Sequence, residues 1–413
     1  VESKIKKFII HGLFSLVIFS AIRAKAEETY QFPFKNPLIA TIMSATNSTN
    51  VPYEILNIEP RHERRNIPLL ENRNTIPMSL FLQHVKAPLA FVIAGAGGNG
   101  LSGTAQLLAG ELFHLGYSAI TLPDPVSWGY AISRSETALP GYVAGDAKEY
   151  YVFLQEVVRF LQAKTKIQIS GYSILGYSLG GLLGAYIAPI DTNQHFFNFA
   201  KYVLINPAID TQFGLKTLDS FYSAGNIIPQ SRKEIILGGI IDMLSKSVDV
   251  SRSLGKSFRQ LGIGEVELKW LIGLSFRQDL EAVIFTSQQF HDAGILKNHA
   301  DEYHRNAREN EAFGFSFTQY LEKFVMPSLK ISDPELLMRT TNLYSLASTL
   351  KTNSHIFVMA NADDILIHEG DIDFLKAQLG QRLYLYPLGG HVGNLGFLKN
   401  QQDLAKIMTS PSH

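Results

Sequence analysis

Ile167-Gln168-Ile169-Ser170-Gly171-Tyr172-Ser173-Ile174-Leu175 runs directly into Gly176-Tyr177-Ser178-Leu179-Gly180-Gly181, and this junction decides how the rest of the chain is read. The first segment has the composition of a buried strand. The small residues from Gly180 to Ala185 open a helix predicted over 179–187. A turn sharp enough to join the two without a loop brings the chain close to itself at its flanks, where only glycine fits. Such a turn exposes the Ser178 hydroxyl at its tip, beside the positive end of the helix. Just upstream, Gly171-Tyr172-Ser173 repeats the first three residues, but Leu175 stands where the second glycine belongs. Ser173 falls inside the strand and is read as a packing or locally hydrogen-bonded residue.

Outward from this junction, short apolar runs alternate with longer helical patterns. Strands are predicted over 78–83, 89–94, 118–122, 167–175 and 202–205, and helices over 101–115, 146–162 and 179–187. The first two strands are read as joined by a tight turn at Lys86-Ala87-Pro88. Apolar runs of this kind suit parallel strands covered on both faces, and the repetition predicts an α/β fold with a mostly parallel open sheet flanked by helices. After Asn206-Pro207 the strand signal stops, and it returns at 355–360 and 382–386. The simplest architecture is a mainly helical cap inserted between two strands. The expected division is a signal peptide over 1–26, an N-terminal arm with edge strand or strands over 27–77, core over 78–209, cap over 210–334 and core again over 335–413. The basic segment Arg61-His62-Glu63-Arg64-Arg65 in the arm is read as solvated surface.

A serine hydroxyl needs a base to take its proton as the oxygen attacks. His391, in Gly389-Gly390-His391-Val392-Gly393 directly after the last predicted strand, is placed for that task. The imidazole needs a carboxylate to fix its tautomer, and Asn361-Ala362-Asp363-Asp364 follows the preceding strand. Of the two, Asp363 is the expected acid and Asp364 the alternative. The order serine, aspartate, histidine fits groups carried by successive strands of one sheet. Backbone N–H groups must hold the oxyanion; Leu179 is one expected donor, and Ala96 or Gly97 in Gly95-Ala96-Gly97-Gly98-Asn99-Gly100 the other. That glycine-rich loop lacks the Lys-Ser/Thr ending of a P-loop and the dinucleotide spacing, and Asp124 does not restore it.

These residues resemble the α/β-hydrolase superfamily: the nucleophile elbow at Gly176 to Gly180, an acid after the penultimate strand and His391 after the last. The resemblance covers roughly 78–206 and 335–410. The aspartate pair and the Gly-Gly-His-Val-Gly run are similar to capped esterase-like hydrolases of bacteria. The resemblance implies cleavage of carboxylic esters through an acyl-serine, without metal or organic cofactor, with acyl transfer, amide or peptide cleavage, or binding on the same scaffold as alternatives. Ala94-Gly95 stands where the commonest oxyanion loop carries His-Gly, which departs from ordinary lipases.

The remaining composition narrows the class. With 413 residues, 46% hydrophobic and 18% charged, the chain fills a large core. Its 37 basic and 37 acidic residues balance, and no basic block offers a nucleic-acid face. There is no cysteine, which excludes disulfides and thiolate chemistry. Lys4, Lys6 and Lys7, a short apolar run over 8–22 and Ala24-Lys25-Ala26 read as a cleaved export signal with a mature start at Glu27. The run is short of the ~20 residues of a bilayer span, so a periplasmic or secreted protein without a stable membrane span is expected. His299, Glu302 and His304 lie close in sequence, but their spacing does not share a helical face and no second pair completes a ligand set. Phe276, Phe285, Phe290, Phe313, Phe315 and Phe317 are read as cap packing. The expected partner is a small, partly apolar ester or acyl substrate; oligomeric state is not legible.

Overall fold

In the computed structural model, residues 30–411 are described apart from 65–66, 68–69, 71–74, 247–257, 259 and 302. The expected export signal over 1–26 lies outside them. The apolar runs form eight strands: β1 (Glu54–Ile58), β2 (Ile76–Phe81), β3 (Ala87–Ile93), β4 (Ser118–Leu122), β5 (Ile169–Tyr177), β6 (Lys201–Ile205), β7 (Ile356–Asn361) and β8 (Leu383–Tyr386). They make one sheet in the order β1-β2-β4-β3-β5-β6-β7-β8. β1–β2 and β2–β4 are antiparallel, and every pairing from β4 to β8 is parallel. The fold is that of the α/β-hydrolases, a mainly parallel sheet flanked by helices with a large helical insertion between strands.

One expectation about the sheet needs correcting. β2 and β3 are consecutive and joined by a short turn, yet they are not neighbours, because β4 lies between them. β2 runs antiparallel to β4, and β3 runs parallel to it. The link over 82–86 is therefore a crossover past one strand and not a hairpin, and Ala87 and Pro88, read as part of the turn, already belong to β3.

Period-2 alternation places side chains on opposite faces. Leu89, Phe91 and Ile93 of β3 enter one apolar layer, and Ala90 and Val92 enter the other. The first layer is closed by α3 (Val143–Lys164) and α4 (Leu179–Gln194), through Leu154, Val157, Leu182 and Leu183. The second is closed by α2 (Gly103–His114) and α9 (Leu398–Thr409), through Leu108, Leu112, Leu404 and Ile407.

The arm is more deeply built in than its composition suggests. Tyr30 and Phe32 are buried in the second layer, and α1 (Pro37–Met43), capped by the Asn36 side chain on the Leu38 and Ile39 N–H groups, lies against the cap. Arg64, expected on the surface, is buried: its guanidinium donates to the carbonyls of Ile132 and Ser135 at 3.1 and 2.9 Å and lies over the Phe290 ring. Backbone carbonyls can help to satisfy a buried cation, which composition cannot reveal.

Between β6 and β7 the chain forms the cap, with α5 (Thr211–Ala224), α6 (Gln230–Lys246) and α7 (Glu265–Phe290) followed by shorter helices up to Thr352. Leu218, Leu280, Val283, Ile284, Phe317 and Phe324 give it its own core. Of the phenylalanines expected to pack there, Phe285 and Phe317 are buried in that core, Phe313 meets Tyr222 edge-on, and Phe315 meets Phe324 edge-on. Phe276 packs against that core and also borders the space above Ser178. α8 (Asp371–Leu379) returns the chain from β7 to β8. Among the described residues, no helix is long and apolar enough to cross a membrane.

Candidate active site

The junction between β5 and α4 is the tight turn that the sequence requires. A Cβ on Gly176 would lie 2.2 Å from the Gly180 carbonyl oxygen, and one on Gly180 2.2 Å from that of Ala94. A side chain at 176 would force β5 and α4 apart, and one at 180 would push α4 away from the end of β3. Ser178 takes φ 55° and ψ −124°, a region that a non-glycine residue occupies only when its surroundings hold it there. Its N–H is tied to the Ile205 carbonyl at 2.9 Å. Ser173 lies inside β5, paired with Ala90 and Lys201, well away from the strand end.

His391 hangs from the loop after β8, where Gly389 and Gly390 have φ 155° and 55°. Its Nε2 is 2.8 Å from Ser178 Oγ, and its Nδ1 is 2.9 and 3.0 Å from the two carboxylate oxygens of Asp364. All three groups are buried. Ser178, His391 and Asp364 thus form a Ser-His-Asp triad: Nδ1–H donates to the carboxylate, leaving Nε2 free to accept the serine proton. This geometry is that of a serine hydrolase.

The acid is therefore Asp364, and the expectation of Asp363 is corrected. The Asp364 N–H closes back on the Asn361 carbonyl at 3.3 Å, a turn that returns the fourth residue over the end of β7. The third residue is left facing the histidine loop, where Asp363 Oδ1 accepts the Gly390 N–H at 2.8 Å. Burial raises the Asp363 carboxyl above its usual range, opposed by the N–H groups of Gly390 and Gly389. Asp363 fixes the backbone that carries His391; Asp364 fixes the ring.

Three residues at the site carried no motif. Asn206, just after β6, donates its Nδ2–H to Asp364 Oδ2 at 2.8 Å, while the Leu366 N–H donates to Oδ1 at 2.9 Å. Asn361 donates its side-chain amide to the Gly390 carbonyl at 2.8 Å, and its Oδ1 accepts from Asn394 Nδ2 at 2.6 Å. Thr41, from α1, accepts the His391 N–H at 2.9 Å. The signal available for Asn206 and Asn361 was their place at strand C-termini, where open α/β sheets keep their chemistry; Thr41 offered none.

On the other side of Ser178 runs the glycine-rich loop. A Cβ on Gly95 would lie 3.0 Å from Ser178 Cβ, and Ala96 borders the same space as the serine. Leu179 is the first residue of α4, where a helix leaves its N–H without an intrahelical acceptor. Gly97 borders the space on the His391 side. Asp124 donates its N–H to the Gly98 carbonyl and accepts from the Ser127 N–H, so it braces this loop as a turn cap.

Two cavities meet at Ser178, Ala96 and Phe276. One runs under the cap and is almost wholly apolar, bordered by Leu183, Leu215, Leu218, Leu280 and Phe317. The other opens on the His391 side and carries more polar groups. Among the described residues, no three or more histidine, aspartate or glutamate side chains converge as metal ligands. His304 instead pairs with Asp301 and meets His299 edge-on; Glu302 lies outside the described residues.

No protein-family model and no curated protein sequence matches this chain. Solved structures resemble it in outline. A thioesterase domain from the curacin biosynthetic pathway is 14% identical with a TM-score of 0.39, covering 87% of this chain and 100% of that one. Esterase B from Lactobacillus rhamnosis is 11% identical with a TM-score of 0.42, over 94% and 93%. The hyperthermophilic esterase from the archaeon Pyrobaculum calidifontis is 14% identical with a TM-score of 0.40, over 95% of each chain.

Proposed function

We propose that this serine hydrolase cleaves carboxylic esters with an apolar acyl chain, in the manner of capped esterase-like hydrolases of bacteria. The observation that carries the reading is the apolar cavity that ends on the nucleophile of a complete triad. His391 Nε2 accepts the proton as Ser178 Oγ attacks the ester carbonyl. The oxyanion is assigned to the N–H groups of Leu179 and of Ala96 or Gly97, which require no reorganisation at the moment of reaction. The imidazolium, held opposite Asp364, protonates the departing alcohol. Water activated by the same imidazole then releases the acid from Ser178.

The test is a p-nitrophenyl ester series from acetate upward, together with fluorophosphonate labelling of Ser178. Burial of one methylene contributes about 0.8 kcal/mol, so kcat/KM rises by about fourfold per CH₂ until the cavity is filled. A series that falls from acetate onward overturns the acyl assignment, and absence of labelling in the folded protein overturns the hydrolase. On the strength of the segment up to Ala26 alone, we place the reaction outside the cytoplasm; recovery of the active protein in the cytoplasmic fraction alone refutes this.

A further inference from the structure

When the tetrahedral intermediate collapses, the proton on His391 Nε2 must reach the departing oxygen, so the leaving group has to face the imidazole. His391 borders the second cavity and not the apolar one. If the acyl chain fills the apolar cavity, the second is the leaving-group site.

One charged group enters it from the cap. Asp279, on α7, lies so close to the oxyanion loop that a Cβ on Gly97 would be 2.3 Å from its Cγ and Oδ2. Among the described residues it has no hydrogen-bond or ion-pair partner, and no lysine or arginine borders the cavity. Its helix neighbour Arg277 faces elsewhere, donating to Asp219 and to the Phe315 carbonyl. The other carboxyl of this region, Asp124, is fully buried, and burial holds it well above the usual carboxylate range, so it supplies no competing anion.

An ionised carboxylate beside the oxyanion loop opposes the negative charge that grows there. With a neutral leaving group that opposition is uncompensated. A cation between them is attracted to both, and the rings of Tyr177, Phe258 and Phe276 on the cavity wall suit one. Burial lifts the Asp279 carboxyl only to about 6, which leaves it ionised at neutral pH.

We propose that Asp279 determines leaving-group specificity, selecting esters whose alcohol carries a positive charge, such as an alkylammonium alcohol. This rests on the ester-hydrolase reading above. The experiment compares the full chain and Asp279→Asn on two butyrate esters of matched shape, that of choline and that of 3,3-dimethylbutanol. The wild type is expected to favour the cationic ester in kcat/KM by about tenfold or more. Asp279→Asn is expected to bring the ratio near one, with kcat/KM on the neutral ester rising as the opposing charge is removed. A wild-type ratio near one, or a ratio unchanged by the substitution, overturns the proposal. Should Asp279→Asn fail to fold, tetramethylammonium must still inhibit wild-type p-nitrophenyl butyrate hydrolysis competitively while neutral tert-butanol at the same concentration does not; equal effects overturn it. A wild type that cleaves neither ester and takes no fluorophosphonate overturns the hydrolase reading itself; one that labels and cleaves both esters equally overturns only the role of Asp279.

Discussion

Asp364→Asn and Asp363→Asn change adjacent residues by the same pair of atoms, yet they should differ in rate by about three to four powers of ten. At Asp364 both carboxylate oxygens face His391 Nδ1, at 2.9 and 3.0 Å, and each also accepts one further donor, from Asn206 or Leu366. Asparagine turns one of those oxygens into an NH₂ that meets Nδ1 as a donor, and no anion remains opposite the imidazolium. The pair is buried, with side-chain exposures of 5% and 3%, so solvent cannot supply the missing charge. Loss of the orienting acid costs about 10⁴ in kcat, which is about 5.4 kcal/mol of transition-state stabilisation. Asparagine at 363 keeps an oxygen to accept the Gly390 N–H now bound at 2.8 Å, and its effect should stay within about tenfold. Steady-state hydrolysis of p-nitrophenyl butyrate, with thermal melts to verify folding, measures both. If Asp364→Asn keeps more than a tenth of wild-type kcat, or if Asp363→Asn shows the large loss, the assignment of the two carboxylates is wrong.

Ser178→Ala should abolish turnover and fluorophosphonate labelling, whereas Ser173→Ala, inside β5, should leave most of both; the reverse pattern would relocate the nucleophile. Thr41→Val leaves the buried His391 N–H without its acceptor, an orphan that costs about 1–3 kcal/mol, so both melting temperature and kcat should fall while Thr41→Ser restores them. Asp146 borders the apolar cavity, and burial lifts its carboxyl to about 8. An unfolded chain gives up that proton near pH ~4. Between these values the folded protein holds more protons, so its stability is lost as pH rises. The wild-type melting temperature should therefore drop from pH ~5 to ~8 relative to Asp146→Asn, and parallel profiles would contradict the neutral acid.

The core of the fold was legible because parallel strands buried on both faces leave an unmistakable trace: β3 to β8 each appear as an apolar run, and the elbow announces itself through two glycines that cannot be anything else. The pairing of β2 was not legible, since a short turn looks the same whether it closes a hairpin or steps past a strand, and only the register against Ile120 and Ala119 tells them apart. The choice between Asp363 and Asp364 failed for a similar reason. Adjacent residues in a turn point in opposite directions, and which one faces the ring depends on a single hydrogen bond, from the Asp364 N–H to the Asn361 carbonyl.

The N-terminal arm shows why the histidine loop could be only half read. Glycines at 389, 390 and 393 read as freedom to carry a ring over the sheet edge, but the structure uses them for proximity as well: a Cβ on Gly390 would be 2.3 Å from the Pro37 carbonyl oxygen, and one on Gly393 2.1 Å from that of Ala40. α1 is packed flush against the loop, and Thr41 reaches the His391 backbone from it. Behind it, the Tyr30 hydroxyl donates to Asn400 at 2.6 Å and accepts from Asn394 at 2.8 Å, joining arm, loop and last helix in one buried network. A base that must stay within 2.8 Å of a hydroxyl cannot ride on a loop held only at its two ends. The segment some 350 residues earlier in the chain supplies the third point of support, and a contact of that sequence separation leaves no local pattern by which it could be foreseen.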